Sequence, residues 1–250
     1  MSAFLFAHQL KQVKVAEIHT RKGGSLMIQI PLEYDSGLKV NDTPPIYIFE
    51  DFLSQEDAEM IIKAAESKMK RATVSSDKAG VESTGRTGQN CWLPHNQTPQ
   101  LLDLAQRISE LVGIELVQAE SFQVIHYDET QQYAAHFDGW DGNTDRGMRC
   151  MQKGGQRLIT CLIYLNDVEA GGGTGFPKLD VEVKAKQGRM VIFHNCYEGT
   201  NKRHPDSLHG GLPVVKGEKW AVNLWFREKP YQQQPVKPDA PVRQQLSKVF

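Results

Sequence analysis

No run of about 18 apolar residues occurs anywhere in the 250-residue chain, so no segment reads as a membrane-spanning helix. The opening MSAFLFAHQLKQVK has no basic stretch and too short an apolar core for a secretory leader. Cysteine is scarce: Cys91, Cys150, Cys161 and Cys196 lie far apart and form neither a C-x-x-C pair nor any other zinc spacing. Reduced thiols in a cytoplasmic protein are the simplest expectation. Charge of one sign is missing too. A formal net charge of −1 gives no global field for nucleic acid or an anionic membrane, so neither is expected as a partner. The glycine run Gly171–Gly175 lacks the lysine and following helix of a phosphate loop, and reads as a turn. No internal repeat is present.

What is there is an ordinary core-forming composition, 40% hydrophobic and 24% charged. Residues 1–44 read as an N-terminal extension packed on the domain, with a strand at Leu26–Ile30 and a break at Pro44-Pro45. Residues 45–229 carry the main pattern. Ile46–Phe49 is a short strand, and Ser54-Gln-Glu-Asp57 resembles a capping box that opens a helix to about Lys70. Ala72–Asn90, rich in Ser, Thr and Gly, reads as a mobile loop, and Pro99–Val112 as a second helix with one apolar stripe. From Glu120 onward the periodicity switches to short strands: Ser121–Tyr127, Ala134–Phe137, Gln156–Leu165, Val181–Val183, Arg189–His194 and Lys219–Arg227. Strands at this spacing after a pair of helices give a mainly β fold with flanking helices, a β-barrel or jelly roll. Residues 230–250, rich in Pro and Gln, read as an arm or tail.

The last strand carries the clearest facial division. Alternate residues share a face, so Lys219, Ala221, Asn223, Trp225 and Arg227 point one way and Trp220, Val222, Leu224 and Phe226 the other. The second set belongs against a dry core. The first sets a cation, an amide, an indole and a guanidinium along the wall of a binding cavity.

Chemistry concentrates in His136-Phe137-Asp138, His209 and Lys219. Two imidazoles and a carboxylate on one face of an ion leave its other positions open, which is how non-haem Fe(II) oxygenases bind iron, though zinc takes the same donors. Signals this short recur: His126-Tyr127-Asp128 and His204-Pro205-Asp206 also fit H-x-D. The 204 pair lies in a polar run that reads as an exposed loop, and the 126 pair leads into an acidic turn. The 136 pair ends a strand and precedes the Gly-rich GWDGNTDRG, as ligands at a barrel mouth would. For the second imidazole, His194 reads as a strand-end histidine bonded to backbone, leaving His209.

The segments FQVIHYDETQQYAAHFD, GGQRLITCLIYLNDVEAGGGTGFP and SLHGGLPVVKGEKWAVNLWFRE closely resemble the catalytic domain of prolyl 4-hydroxylases, Fe(II)- and 2-oxoglutarate-dependent dioxygenases of the small soluble microbial type. The resemblance runs from Pro45 to Arg227 and implies a double-stranded β-helix. By position it implies His136, Asp138 and His209 as iron ligands and Lys219 as partner of the distal carboxylate of 2-oxoglutarate. Tyr127, Thr174 and Tyr164 fall where that cosubstrate is held. Arg86, Glu120, Tyr133, Arg157 and Trp225 fall where the family lines its proline groove, although Arg157 and Glu120 also suit a structural ion pair. Two positions depart from the pattern: a serine of the family is Gly88 here, and a histidine is Arg227. The segment between Asp138 and Arg157, with Trp140, Asp141 and Asp145, is longer than in relatives and reads as substrate rim.

The implied reaction is hydroxylation of a prolyl residue in a peptide or protein, at C4, with Fe(2+), 2-oxoglutarate, O2 and L-ascorbate. Three alternatives stand beside it: the same chemistry on a free amino acid or another side chain, a non-catalytic sensor of 2-oxoglutarate and iron, and a zinc hydrolase. Self-association through the terminal segments stays open.

Overall fold

The computed structural model describes residues 29–72 and 85–231. Most of the strand expected at Leu26–Ile30, the centre of the Ala72–Asn90 loop and the tail beyond residue 231 lie outside the described residues.

The first hairpin pairs β1 (Leu38–Asp42) with β2 (Pro45–Phe49). Residues assigned from sequence to an extension thus supply an edge strand, and Tyr34 is buried in the core. Helix α1 (Gln55–Glu66) starts where Ser54 accepts the Asp57 amide at 3.1 Å, with Glu56 and Asp57 favourably placed in its first turn. It ends at Glu66, short of Lys70, because Lys70 and Arg71 form β3 and pair with β4 (Gln89–Leu93). Sequence reading missed β4: its Gln89-Asn90 start looks like loop, and its partners are far along the chain. Helix α2 (Pro99–Val112) follows the expected bounds. Thr98 caps it, Pro99 opens it, and Gly113 at φ +66° closes it in the left-handed conformation that glycine takes without penalty. Its buried Leu101, Leu104, Ile108 and Val112 each contribute roughly 1.5–3 kcal/mol of apolar burial.

Strands β5 (Phe122–Tyr127) and β6 (Tyr133–His136) come next, followed by the short helix α3 (Asp145–Met151) inside the rim segment that read as loop. Then follow β7 (Arg157–Tyr164), β8 (Ala170–Gly171), β9 (Thr174–Phe176), β10 (Val181–Val183) and β11 (Met190–His194). The last are β12 (His209–Gly211), β13 (Val214–Lys216) and β14 (Lys219–Arg227).

These strands build an eight-stranded sheet, β1-β2-β11-β7-β14-β5-β4-β3, a four-stranded sheet, β10-β9-β12-β6, and a two-stranded pair, β13-β8. The fold is the jelly roll, mainly β, with α1 and α2 packed on one face of the larger sheet and α3 at the cavity. Side-chain alternation divides the core. Ile159, Cys161 and Ile163 of β7 join Trp220, Val222, Leu224 and Phe226 of β14 against the helices. Leu162 and Tyr164 point the other way and meet Phe176 and Val183 from the smaller sheet. Thr160 interrupts the run of buried apolar residues that follows Arg157 in β7, on the face that carries the site.

All four cysteines are free, and Cys91, Cys161 and Cys196 are buried. No described helix is long and apolar enough to cross a membrane.

Candidate functional site

The β6–β12 pairing sets His136 directly opposite His209, and Asp138 follows two residues past His136. The ligand-capable atoms lie within 4.8 Å of one another. His136 Nε2 is 3.6 Å from Asp138 Oδ1, and His209 Nε2 is 3.5 Å from Asp138 Oδ2. That spacing leaves room for one ion with bonds of about 2.1 Å. Each imidazole has its Nδ1 against a backbone carbonyl, His136 on Ala134 at 3.0 Å and His209 on Ser207 at 2.9 Å. A proton held there leaves both Nε2 lone pairs free toward the centre. Burial pulls His209 down to about 4 against the opposing charge of Asp138, so this imidazole is neutral near pH 7, as a metal ligand must be. Burial works to raise the Asp138 carboxyl, but His209, His136 and Arg157 outweigh it and hold the group far below the usual carboxylate range.

Asp138 is also held from behind. Thr160 Oγ1 and Trp225 Nε1 each donate to Oδ2 at 2.8 Å, and Asn195 Nδ2 donates to Thr160 at 2.9 Å. The triad therefore offers a neutral, a fixed and an ionised donor at one point, which fits iron(II).

The rival histidines separate on geometry. His126, Asp128 and Glu218 also cluster, but His126 Nε2 and Glu218 Oε2 are 2.7 Å apart, a hydrogen-bond distance that leaves no space for an ion between them. Glu218 additionally accepts the Trp220 indole at 3.0 Å. His204 is buried, contrary to the exposed loop expected, and its Nδ1 accepts the Asp206 amide as a turn cap. His194 bonds not to backbone but to the Tyr34 hydroxyl at 2.7 Å.

Lys219 opens β14 and is 1% exposed. Its Nζ has the Gly173 carbonyl at 3.5 Å, the Tyr164 ring at 5.1 Å and the Tyr127 ring at 6.0 Å, and no carboxylate pairs with it among the described residues. Burial alone pulls the ammonium down to about 7. A buried cation without a counter-ion is costly, and a carboxylate arriving beside it removes that cost. Thr174 and Tyr127 line the same cavity as Lys219 and the triad. Tyr164 lies behind that wall, its hydroxyl shared with Thr174 Oγ1 at 2.7 Å. These groups fit a small dicarboxylate.

Arg86, Tyr133, Arg157 and Trp225 line the outer part of the cavity with Trp92 and Trp140. Arg86 lies over the Tyr133 ring at 4.7 Å and donates to Gln123 at 3.1 Å. Arg157 stacks on Trp225 at 3.8 Å and on Trp140 at 4.9 Å. Glu120 is not on the wall: it sits behind Arg157, which grips it at 2.7 and 2.8 Å, while Arg227 binds it at 3.0 Å from the other side. Arg227 also donates to the Cys150 and Lys153 carbonyls, tying the rim segment with α3 to β14. The arginine that replaces the family's histidine is thus a buried brace, not a groove residue. Sequence reading missed Trp92, Gln123, Thr160 and Asn195. Only Thr160, a hydroxyl inside the stretch LITCLI, left a visible signal.

Comparison with known proteins gives the family. Residues 122–227 match the family model of the 2OG-Fe(II) oxygenase superfamily. A protein of Acanthamoeba polyphaga mimivirus assigned as a prolyl 4-hydroxylase is 32% identical over 216 residues, covering 85% of this chain and 88% of its own. The Gallus gallus prolyl 4-hydroxylase subunit alpha-2 is 34% identical over 190 residues, 75% of this chain and 35% of that subunit. Among solved structures, the viral collagen prolyl hydroxylase of Paramecium bursaria Chlorella virus-1 in its 2OG complex superposes with a TM-score of 0.56 at 27% identity, over 73% of this chain and 95% of that one.

Proposed function

The chain belongs to the prolyl 4-hydroxylase family within the 2OG-Fe(II) oxygenase superfamily, and on that premise we propose how its residues divide the work. It is a 2-oxoglutarate-dependent dioxygenase that hydroxylates proline, with iron(II) and O2. The observation that carries the assignment of roles is the sharing of one cavity by a two-histidine, one-carboxylate cluster and a buried, anion-free lysine.

When bound, iron and 2-oxoglutarate supply the oxidant: one atom of O2 goes to succinate, released with CO2, and the other to the proline. His136, Asp138 and His209 hold the metal. Thr160 and Trp225 fix the Asp138 carboxylate so that its geometry does not drift between states. Lys219 neutralises the far carboxylate of 2-oxoglutarate, with Thr174 and Tyr127 beside it and Tyr164 orienting Thr174. Trp225, Arg157, Tyr133 and Arg86 position a peptidyl proline in front of the metal, where proximity is worth far more than any protein acid or base. Glu120 and Arg227 act at one remove by holding Arg157. L-ascorbate would be the external reductant for this chemistry. C4 is the carbon attacked.

The direct test supplies purified protein with iron(II), 2-oxoglutarate and ascorbate, with and without proline-rich peptides. Peptide-stimulated succinate and a gain of one oxygen on proline are expected. Succinate release that no peptide stimulates would move the reading to a non-prolyl substrate.

A pH dependence follows from Lys219. Below pH 7 the ammonium is already protonated. Above it the dicarboxylate binds only after a proton is taken up, so affinity weakens by up to about tenfold per pH unit until the raised pKa of the complex is passed. Calorimetry at pH 8 in two buffers of different ionisation enthalpy measures this uptake. Binding with no proton taken up would overturn this pH dependence, since the ammonium would then already be charged at pH 8.

A further inference from the structure

Gly88 stands where the family pattern has a serine, and its backbone gives no reason for glycine. It does not lie in the left-handed region, so any residue could adopt the conformation. The reason is space. A Cβ at position 88 would fall 2.2 and 2.4 Å from Cδ1 and Cε1 of Tyr127 and 2.5 Å from the His126 carbonyl oxygen. The Tyr127 ring occupies the volume of the missing side chain.

That placement has a consequence across the β4–β5 pairing. Gln89 faces His126 in register, so residue 88 comes opposite Tyr127 just before β4 begins. With the ring laid over bare backbone, its face lies 6.0 Å from the Lys219 ammonium. The ring is 2% exposed, and the open volume it borders is the cavity it shares with Lys219, so a displaced ring moves into that cavity. Overlaps this short cannot relax by small shifts, so any side chain at 88 must displace the ring, the strand, or both.

We propose that Gly88 is a positioning residue for the cosubstrate pocket: by carrying no side chain it fixes the Tyr127 ring beside Lys219, and so sets the affinity for 2-oxoglutarate. The inference rests on the reading of that pocket as the 2-oxoglutarate site.

The test titrates 2-oxoglutarate calorimetrically into anaerobic, iron(II)-loaded protein. Gly88→Ala is expected to weaken binding by about tenfold, the scale of one misplaced polar contact. In a Tyr127→Val background the same change is expected to cost less than about twofold, since the ring is gone, although the His126 carbonyl still lowers the melting temperature. Equal losses in both backgrounds would assign the effect to the strand and overturn the proposal. So would an unchanged affinity in Gly88→Ala. Failure of the unsubstituted protein to bind 2-oxoglutarate would sink the pocket reading instead.

If Gly88→Ala does not fold, 3-fluorotyrosine labelling of the unsubstituted protein decides, with the Tyr127 signal assigned by Tyr127→Phe. A ring pinned on backbone flips slowly, giving two fluorine resonances that move on adding 2-oxoglutarate. One averaged line that ignores the ligand overturns the proposal.

Discussion

His136→Ala is expected to lower peptide-stimulated succinate formation by at least about 10³-fold, because metal ligands act as a unit and losing one loses the site. His126→Ala and His204→Ala are expected to keep most of the activity. The contrast is the informative part, since all three histidines lead an H-x-D sequence. Only the first has its Nε2 3.6 Å from its carboxylate with a second imidazole opposite. His126 is spent on Glu218, and His204→Ala loses a turn cap worth about 1 kcal/mol, so it is assayed well below its melting temperature. Iron content after gel filtration gives a second reading. Comparable loss of activity and iron in all three variants would mean that the cluster has been misassigned.

Lys219→Ala is expected to weaken 2-oxoglutarate by about 10²–10⁴-fold, the cost of leaving one partner of a buried ion pair uncompensated, about 3–5 kcal/mol. The turnover number at saturating cosubstrate should fall far less, because the lysine is remote from the transferred oxygen. Lys219→Arg is not expected to rescue. The Tyr164 and Tyr127 rings at 5.1 and 6.0 Å frame a compact ammonium, and a planar guanidinium needs a wider slot. A steady-state series against 2-oxoglutarate separates KM from kcat. An unchanged KM in Lys219→Ala would remove the residue from this role.

Local pattern made part of this legible in the sequence. The alternation in Lys219–Arg227 predicts a cavity face and a core face, and the structure has Lys219, Asn223 and Trp225 on the cavity while Trp220, Val222, Leu224 and Phe226 pack under the helices. Helix α2 was equally plain, because Thr98, Pro99 and Gly113 mark both of its ends. What could not be read depends on partners distant in the chain. His194 takes its hydrogen bond from Tyr34, 160 residues away, so no window around the histidine contains the answer. Thr160 and Trp225 meet on the Asp138 carboxylate only because the paired strands β7 and β14 and the bend after β6 converge there. Glu120 was visible as a groove candidate and as an ion-pair candidate alike, and the deciding fact, Arg227 closing over it, is a tertiary one. Among the three H-x-D pairs, chain chemistry expressed a preference and resemblance chose.

The hydrogen bond from the Trp225 indole to Asp138 gives the protein an optical reporter of its own. A fluorophore whose N–H is anchored on a metal-ligating carboxylate sits within a few bond lengths of the ion, close enough for a paramagnetic centre to quench its emission. Trp92, 5.9 Å from Trp225, extends the same signal to the rim where a peptide would enter. Occupancy of the centre and of the groove can therefore be followed in unlabelled protein by light alone.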